Sequence, residues 1–180
     1  YLTALSDPDR YTLASLLDDS PIALQNQDGT IWAPQNYDKE FRGDVPVYKA
    51  LSHSYNVPTA KLGLDIGLDS VVDTMGKLGV LRSVGAYPST LLGAGSLSPI
   101  EVAQIYQTLA GGGFRTPWRS IMAVLTVQGE PLQRYPLMVE EKFDSGASFL
   151  VNRSLQIAVK EGTGRSLYNI LPQELEVAGK

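Results

Sequence analysis

The sequence predicts a mainly α chain with two short β elements. Two stretches carry strong helix-start signals followed by apolar residues at helical spacing, one opening at Ser98 and one at Asp144. Turn signals flanked by strand-like runs occur at Asp28-Gly29 and at Gln128-Gly129. Proline and glycine punctuate the chain evenly, with no internal repeat and no low-complexity linker, so the 180 residues read as one continuous domain. A chain of this length buries roughly 70% of the surface its unfolded form exposes.

Taken in order, Tyr1 to Leu5 reads as the middle of a helix. Residues 21 to 43 are polar and turn-rich, and Asp28-Gly29 between Pro21-Ile22-Ala23-Leu24 and Thr30-Ile31-Trp32-Ala33 predicts a short hairpin. Asp44 is the expected cap of a helix carrying Pro46, Val47, Ala50 and Leu51. Pro58 opens a second helix that ends near Gly67, and Asp69 caps a third with Val71, Val72, Met75 and Leu78 on one side and Gly79 beyond its end. Ser98, Pro99 and Glu101 form a capping box with proline at the first helical position, and Val102, Ile105, Tyr106 and Leu109 recur at helical spacing before Gly111-Gly112-Gly113. Ile121 to Val127 and Leu132 to Val139 predict a second hairpin. Asp144 caps a last long helix with Ala147, Leu150, Val151, Leu155 and Ala158 inward and Gly162 at its end. Leu175 to Lys180 reads as a strand stopped mid-course, so both ends suggest an internal piece of a longer domain.

Composition narrows the function. The hydrophobic fraction is 43% and the charged fraction 19%, an ordinary balance for a folded protein. With a net charge of -4 and scattered Lys and Arg, there is no electrostatic basis for binding nucleic acid or an anionic membrane. The chain has no cysteine, which excludes disulfides, thiolate metal sites and cysteine nucleophiles. A single histidine, His53, argues against a histidine-rich metal site and a Ser-His-Asp triad, and no metal or cofactor is expected.

Among candidate functional residues, Ser54-Tyr55-Asn56 at a helix end followed by Val57-Pro58 places a hydroxyl and a carboxamide on one side of a loop. A hydroxyl there relays a proton and a carboxamide grips an amide. The triplet by itself reads as a capping serine and a loop asparagine. Lys180 after Val177-Ala178-Gly179 has the form of a lysine on a strand beside a serine site, or of a solvated lysine. Gly162-Thr163-Gly164 lacks the strand and lysine of a nucleotide loop and reads as a helix stop. His53 is expected to face away from its neighbour Ser54, and Asp18-Asp19 and Glu140-Glu141 are expected to be solvated turn or cap charges.

Longer stretches carry more information. Ala50 to Gly67 resembles the region around the second catalytic motif of class A high-molecular-weight penicillin-binding proteins. Pro88 to Gly113, with Leu91-Leu92-Gly93-Ala94-Gly95-Ser96-Leu97-Ser98-Pro99, is similar to the same family, as are Trp32-Ala33-Pro34-Gln35-Asn36 and Gly162-Thr163-Gly164-Arg165. The family uses Ser-x-x-Lys, Ser-x-Asn and Lys-Thr-Gly motifs. Ser54 and Asn56 match the second motif and Lys180 the first residue of the third. No Ser-x-x-Lys occurs; Thr74-Met75-Gly76-Lys77 has the spacing without the serine.

The resemblance implies that residues 1–180 form part of a transpeptidase domain lying between the first and third motifs, its nucleophile outside the chain. It implies the helical lobe of an α+β transpeptidase fold, with the central sheet largely missing. The implied chemistry is acyl transfer from D-Ala-D-Ala of peptidoglycan stem peptides, with β-lactams acylating the same serine. Ser54 would relay a proton with help from Lys180, and Asn56 would bind substrate. The implied location is the periplasmic face of the bacterial inner membrane, in a parent that also carries a glycosyltransferase domain and a membrane anchor. The chain alone is expected to be inactive. It is also expected to self-associate, through the 144–161 helix, where Phe149, Ile157 and Val159 lie off the main stripe, or through the strand near Val177. The alternative is a non-catalytic binding or scaffold domain that shares the helices; a complete serine hydrolase of β-lactamase type is disfavoured by the missing motif.

Overall fold

The computed structural model describes residues 1–25 and 28–180. Among the described residues six α-helices carry the architecture: α1 (Leu2–Leu5), α2 (Val47–Ser52), α3 (Asn56–Ile66), α4 (Leu68–Lys77), α5 (Pro99–Ala110) and α6 (Ser145–Lys160). Four two-stranded antiparallel ladders decorate them: β1 (Leu16–Asp19) with β4 (Gly43–Pro46), β2 (Leu24–Gln25) with β3 (Ile31–Trp32), β5 (Phe114–Arg115) with β8 (Glu140–Glu141), and β6 (Ala123–Leu125) with β7 (Pro131–Arg134). Tight 3-10 turns stand at Pro88–Leu92 and Arg165–Asn169. The mainly α reading holds.

The core forms where α6 crosses α1, α2 and α5. Leu2, Ala4 and Leu5 of α1, Val47 and Ala50 of α2, Leu62 of α3 and Val151 and Leu155 of α6 are all buried there, with Leu17 and Val45 arriving from the β1–β4 ladder. Burial of each large aliphatic side chain contributes roughly 1.5–3 kcal/mol. Asp144 caps α6 as predicted, its Oδ1 accepting from the N–H groups of Gly146 (2.8 Å) and Ala147 (3.1 Å). The capping box at Ser98 also forms, with Glu101 Oε2 accepting from the Ser98 N–H at 2.8 Å.

Several expectations need correction. Asp44 does not cap α2; it lies in β4 opposite Asp18, and α2 starts from Pro46 with no side-chain cap. The β1–β4 ladder has no signal in the sequence, because Leu16-Leu17 is too short an apolar run to announce a strand. α3 begins at Asn56, two residues before Pro58. In α5 the buried positions include Glu101, Gln104 and Thr108, while Val102 and Tyr106 are exposed. The inward stripe is thus rotated from the apolar one. Gln104 and Gln107 face the irregular chain after β5: Gln104 Nε2 donates to Thr116 O at 3.3 Å, and Gln107 Oε1 accepts from Thr116 N at 3.0 Å.

The first hairpin forms with Gly29 in the left-handed region (φ 84°) and Asp28 Oδ1 accepting from Thr30 N at 3.0 Å; Asn26 and Gln27, within the turn-rich stretch, lie outside the described residues. The second hairpin forms around Gly129, but shorter than read, and β6 and β7 are exposed throughout. Leu175 to Lys180 is not a strand: no ladder partner lies beside it among the described residues. Val159, expected to be uncovered, is buried against Gly164 and Gly179, whereas Phe149 is exposed.

A candidate active site at the end of α2

The site grows from the way α2 stops. Ser54 N–H donates to Leu51 O (3.1 Å) and Tyr55 N–H to Ala50 O (3.0 Å), the paired bonds of a Schellman turn. That turn needs one residue in the left-handed region, usually glycine, and here the residue is Ser54, at φ 60°. A left-handed conformation costs a residue with a Cβ roughly 1–2 kcal/mol. Its hydroxyl is exposed and takes no hydrogen-bond partner among the described residues.

The remaining carbonyls of this last turn are also matched, as a helix end requires. Thr163 N–H donates to Ser52 O at 3.1 Å. Gly162 makes that approach possible, since a Cβ at this position would stand 2.1 Å from Ser52 O. Lys180 Nζ donates to Leu51 O at 2.7 Å, on the same carbonyl that Ser54 N–H uses. The structure therefore brings Lys180 and Ser54, 126 positions apart in sequence, onto one backbone atom. Loss of water at this spot holds the Lys180 ammonium below the usual lysine range. Tyr106 supports the tail by donating its hydroxyl to Lys180 O at 3.2 Å.

Asn56 is the first residue of α3. Its Nδ2 donates to Gln35 O at 2.8 Å, leaving the carboxamide oxygen without a donor among the described residues. The next position is fixed from the same loop: Val57 N–H donates to Asn36 Oδ1 at 3.2 Å. Asn36 is buried, and its Nδ2 donates to both oxygens of Asp19 (2.7 and 3.0 Å) and to Glu40 O (2.8 Å). Arg42 N–H donates to Asp19 Oδ2 at 3.1 Å. The Arg42 guanidinium lies 4.3 Å over the Tyr55 ring and pairs with Asp38, whose hydrogen bond holds it above its ordinary range.

Sequence reasoning named Ser54, Asn56 and Lys180 and missed Asp19. The Asp18-Asp19 pair divides. Asp18 is an exposed ion-pair partner of Lys61 at 2.6 Å, while Asp19 is completely buried, so the solvated reading fails for it. Glu140 likewise pairs with Arg115 (2.7 Å) and Lys142 (3.1 Å), whereas Glu141 is exposed. Strand alternation was the available signal for Asp19, because it shares the inward face of β1 with Leu17. His53 Nδ1 lies 3.0 Å from Ser52 Oγ, and its ring stands 5.6 Å from that of Tyr55. Among the described residues no three His, Asp or Glu side chains gather to hold a metal ion. A polar hollow of 710 Å³ between α6 and residues 165–177 does not include Ser54, Asn56 or Lys180.

The arrangement offers an exposed hydroxyl, an ammonium bound to the same helix end and a carboxamide anchored at the next helix start, groups that suit proton relay and amide binding. Residues 9–180 match the family model for the penicillin binding protein transpeptidase domain. The whole chain is 44% identical to penicillin-binding protein 1B of Vibrio cholerae and 42% identical to that of Escherichia coli, and spans 23% and 22% of their lengths. Among solved structures, the fold is similar to penicillin-binding protein 1A from Haemophilus influenzae, with a TM-score of 0.83 at 20% identity over 96% of this chain and 32% of that one. It is also similar to PonA1 from Mycobacterium tuberculosis, with a TM-score of 0.80 at 19% identity over 98% of this chain and 49% of that one. A structure of penicillin-binding protein A from M. tuberculosis, described as its penicillin G acyl-enzyme complex, matches with a TM-score of 0.73 at 16% identity over 88% of this chain and 42% of that one.

Proposed function

The chain belongs to the penicillin-binding protein transpeptidase family, and we propose that it supplies the relay and substrate-holding half of a serine D,D-transpeptidase site. In this reading a serine outside residues 1–180 attacks the carbonyl between the two terminal D-alanines of a peptidoglycan stem peptide. The C–N bond breaks, an acyl-enzyme forms, and D-alanine departs with a proton. Ser54 delivers that proton, and the ammonium of Lys180 polarises the relay. Asn56, held by Gln35 O, binds the amide side of the substrate. A second stem-peptide amine then takes the acyl group and completes the cross-link. β-Lactams, as mimics of D-Ala-D-Ala, acylate the same serine.

The observation that carries this reading is the shared Leu51 carbonyl, which ties Lys180 to the turn presenting Ser54. The chain holds no Ser-x-x-Lys, so by itself it lacks a nucleophile and its base, and it is inactive alone. No helix of the described residues is long and apolar enough to cross a membrane. A membrane anchor, a glycosyltransferase domain and a periplasmic location for the whole protein follow from the family reading.

The test is the rate of penicillin acylation, measured by stopped flow on the whole protein. Ser54→Ala is expected to slow acylation by about 10²–10⁴-fold, the usual loss on removing a general acid–base group. An unchanged rate would remove Ser54 from the mechanism.

A further inference from the structure

α3 starts without a capping side chain of its own. The first-turn N–H groups of a helix need acceptors, and the acceptor for Val57 comes from Asn36, 21 positions upstream. A carboxamide can point either way round, and only one way places its oxygen on Val57. Here the choice is made by Asp19 together with Glu40 O, which also accepts from the Asn36 NH₂. A carboxylate accepts and cannot donate, so the buried Asp19 binds the Asn36 NH₂ with both oxygens and thereby aims the Asn36 oxygen at Val57 N–H. The adjoining residue Gln35 holds the Asn56 side chain through its carbonyl. One loop therefore fixes both the backbone and the side chain of the asparagine that would meet substrate.

We propose that Asn36, oriented by buried Asp19, is the positioning residue of this site: it locks the first turn of α3 so that Asn56 presents its carboxamide to the amide group of the substrate. This rests on the proposed transpeptidase reading. It adds a device that lies outside the Ser-x-Asn motif and acts through Asn56 without touching substrate. Arg42 joins the same unit, since its N–H holds Asp19 while its guanidinium covers the ring of Tyr55, the central residue of the motif.

The experiment uses the whole protein and compares Asn36→Ala, Asp19→Asn and the exchange Asp19→Asn with Asn36→Asp. Asn36→Ala removes the acceptor of Val57 N–H. Asp19→Asn forces an NH₂ to face either the Asn36 NH₂ or the Arg42 N–H. The exchange restores part of the pairing: the carboxylate at 36 accepts from Val57 N–H and from the amide at 19, whose oxygen accepts from Arg42 N–H, while Glu40 O loses its donor. Each single change is expected to weaken saturation by penicillin at least tenfold, with a smaller effect on the limiting acylation rate. The exchanged protein is expected to bind penicillin at least threefold better than either single, short of wild type because Glu40 O has lost its donor. A fold-only role would lower the melting temperature without this split and without rescue. Wild-type saturation in both singles, or an exchanged protein that melts normally and is as poor as the singles, would overturn the proposal. Amide hydrogen exchange at Val57 reads the lock without any substrate. Protection should fall at least tenfold in Asn36→Ala and return in the exchanged protein, and unchanged protection would also overturn it. If wild-type protein is not acylated at all, the transpeptidase reading fails, and the exchange data alone decide whether Asn36 holds α3.

Discussion

At Ser54, stability and the proposed chemistry ask for different residues. The left-handed C′ position of a Schellman turn favours glycine, yet a glycine would carry no hydroxyl to the surface of the site. Ser54→Gly is therefore expected to stabilise the fold by about 0.5–1 kcal/mol, the relief of the left-handed penalty less the added freedom of the unfolded chain, while slowing acylation as Ser54→Ala does. Thermal melts on the isolated chain check the first part, and a lower melting temperature for Ser54→Gly would contradict it. The same residue shows what the sequence could and could not disclose. The Ser-x-Asn spacing was visible, but the strained conformation was not, because it depends on bonds from Tyr55 and Ser54 back to α2. Asp19 was harder still. Its neighbour Asp18 does sit at the surface with Lys61, and the demand for a buried carboxylate arises only once Asn36 is folded beneath it.

Among the elements, those with local caps were legible and those with borrowed caps were not. α5 and α6 carry their own signals in Ser98–Glu101 and Asp144, and both begin where those residues stand. α2 and α3 take their terminal partners from distant segments: Lys180 and Thr163 at the end of α2, Asn36 at the start of α3. No window of the sequence shows such partners. The β1–β4 ladder likewise became visible only with both strands in place. The local cap of α5 makes a testable statement about pH. Hydrogen bonds from the Ser98 hydroxyl and backbone, with Arg82 nearby, pull the Glu101 carboxyl from 4.5 to about 2. A depressed carboxylate stabilises the fold fully above its unfolded value, and that contribution fades as pH falls through the folded value. Melting temperature should therefore fall between pH 4.5 and about 2, and Glu101→Gln should flatten part of that fall. An identical profile in the variant would show that the cap does not titrate with folding.

For the molecule as a whole, the helices build a scaffold that presents the proposed half of a reaction centre. Ser54, Asn56 and Lys180 reach it from two helix ends and the C-terminal tail. The β6–β7 hairpin and Phe149 leave apolar surface exposed. The family was legible because long stretches such as Ala50 to Gly67 carry it, while the four small ladders were only partly so, being too short to impose a period. The central claim is that this chain contributes relay and substrate binding and that the nucleophile stands elsewhere in the protein. It is tested most directly by intact-protein mass spectrometry after incubation with a penicillin, on the whole protein and on residues 1–180 alone, with peptide mapping of any adduct. The account predicts a single stoichiometric acyl adduct on the whole protein, mapped to a serine outside residues 1–180, and none on the isolated chain. A stoichiometric adduct on the isolated chain, or one mapped to Ser54, would contradict it.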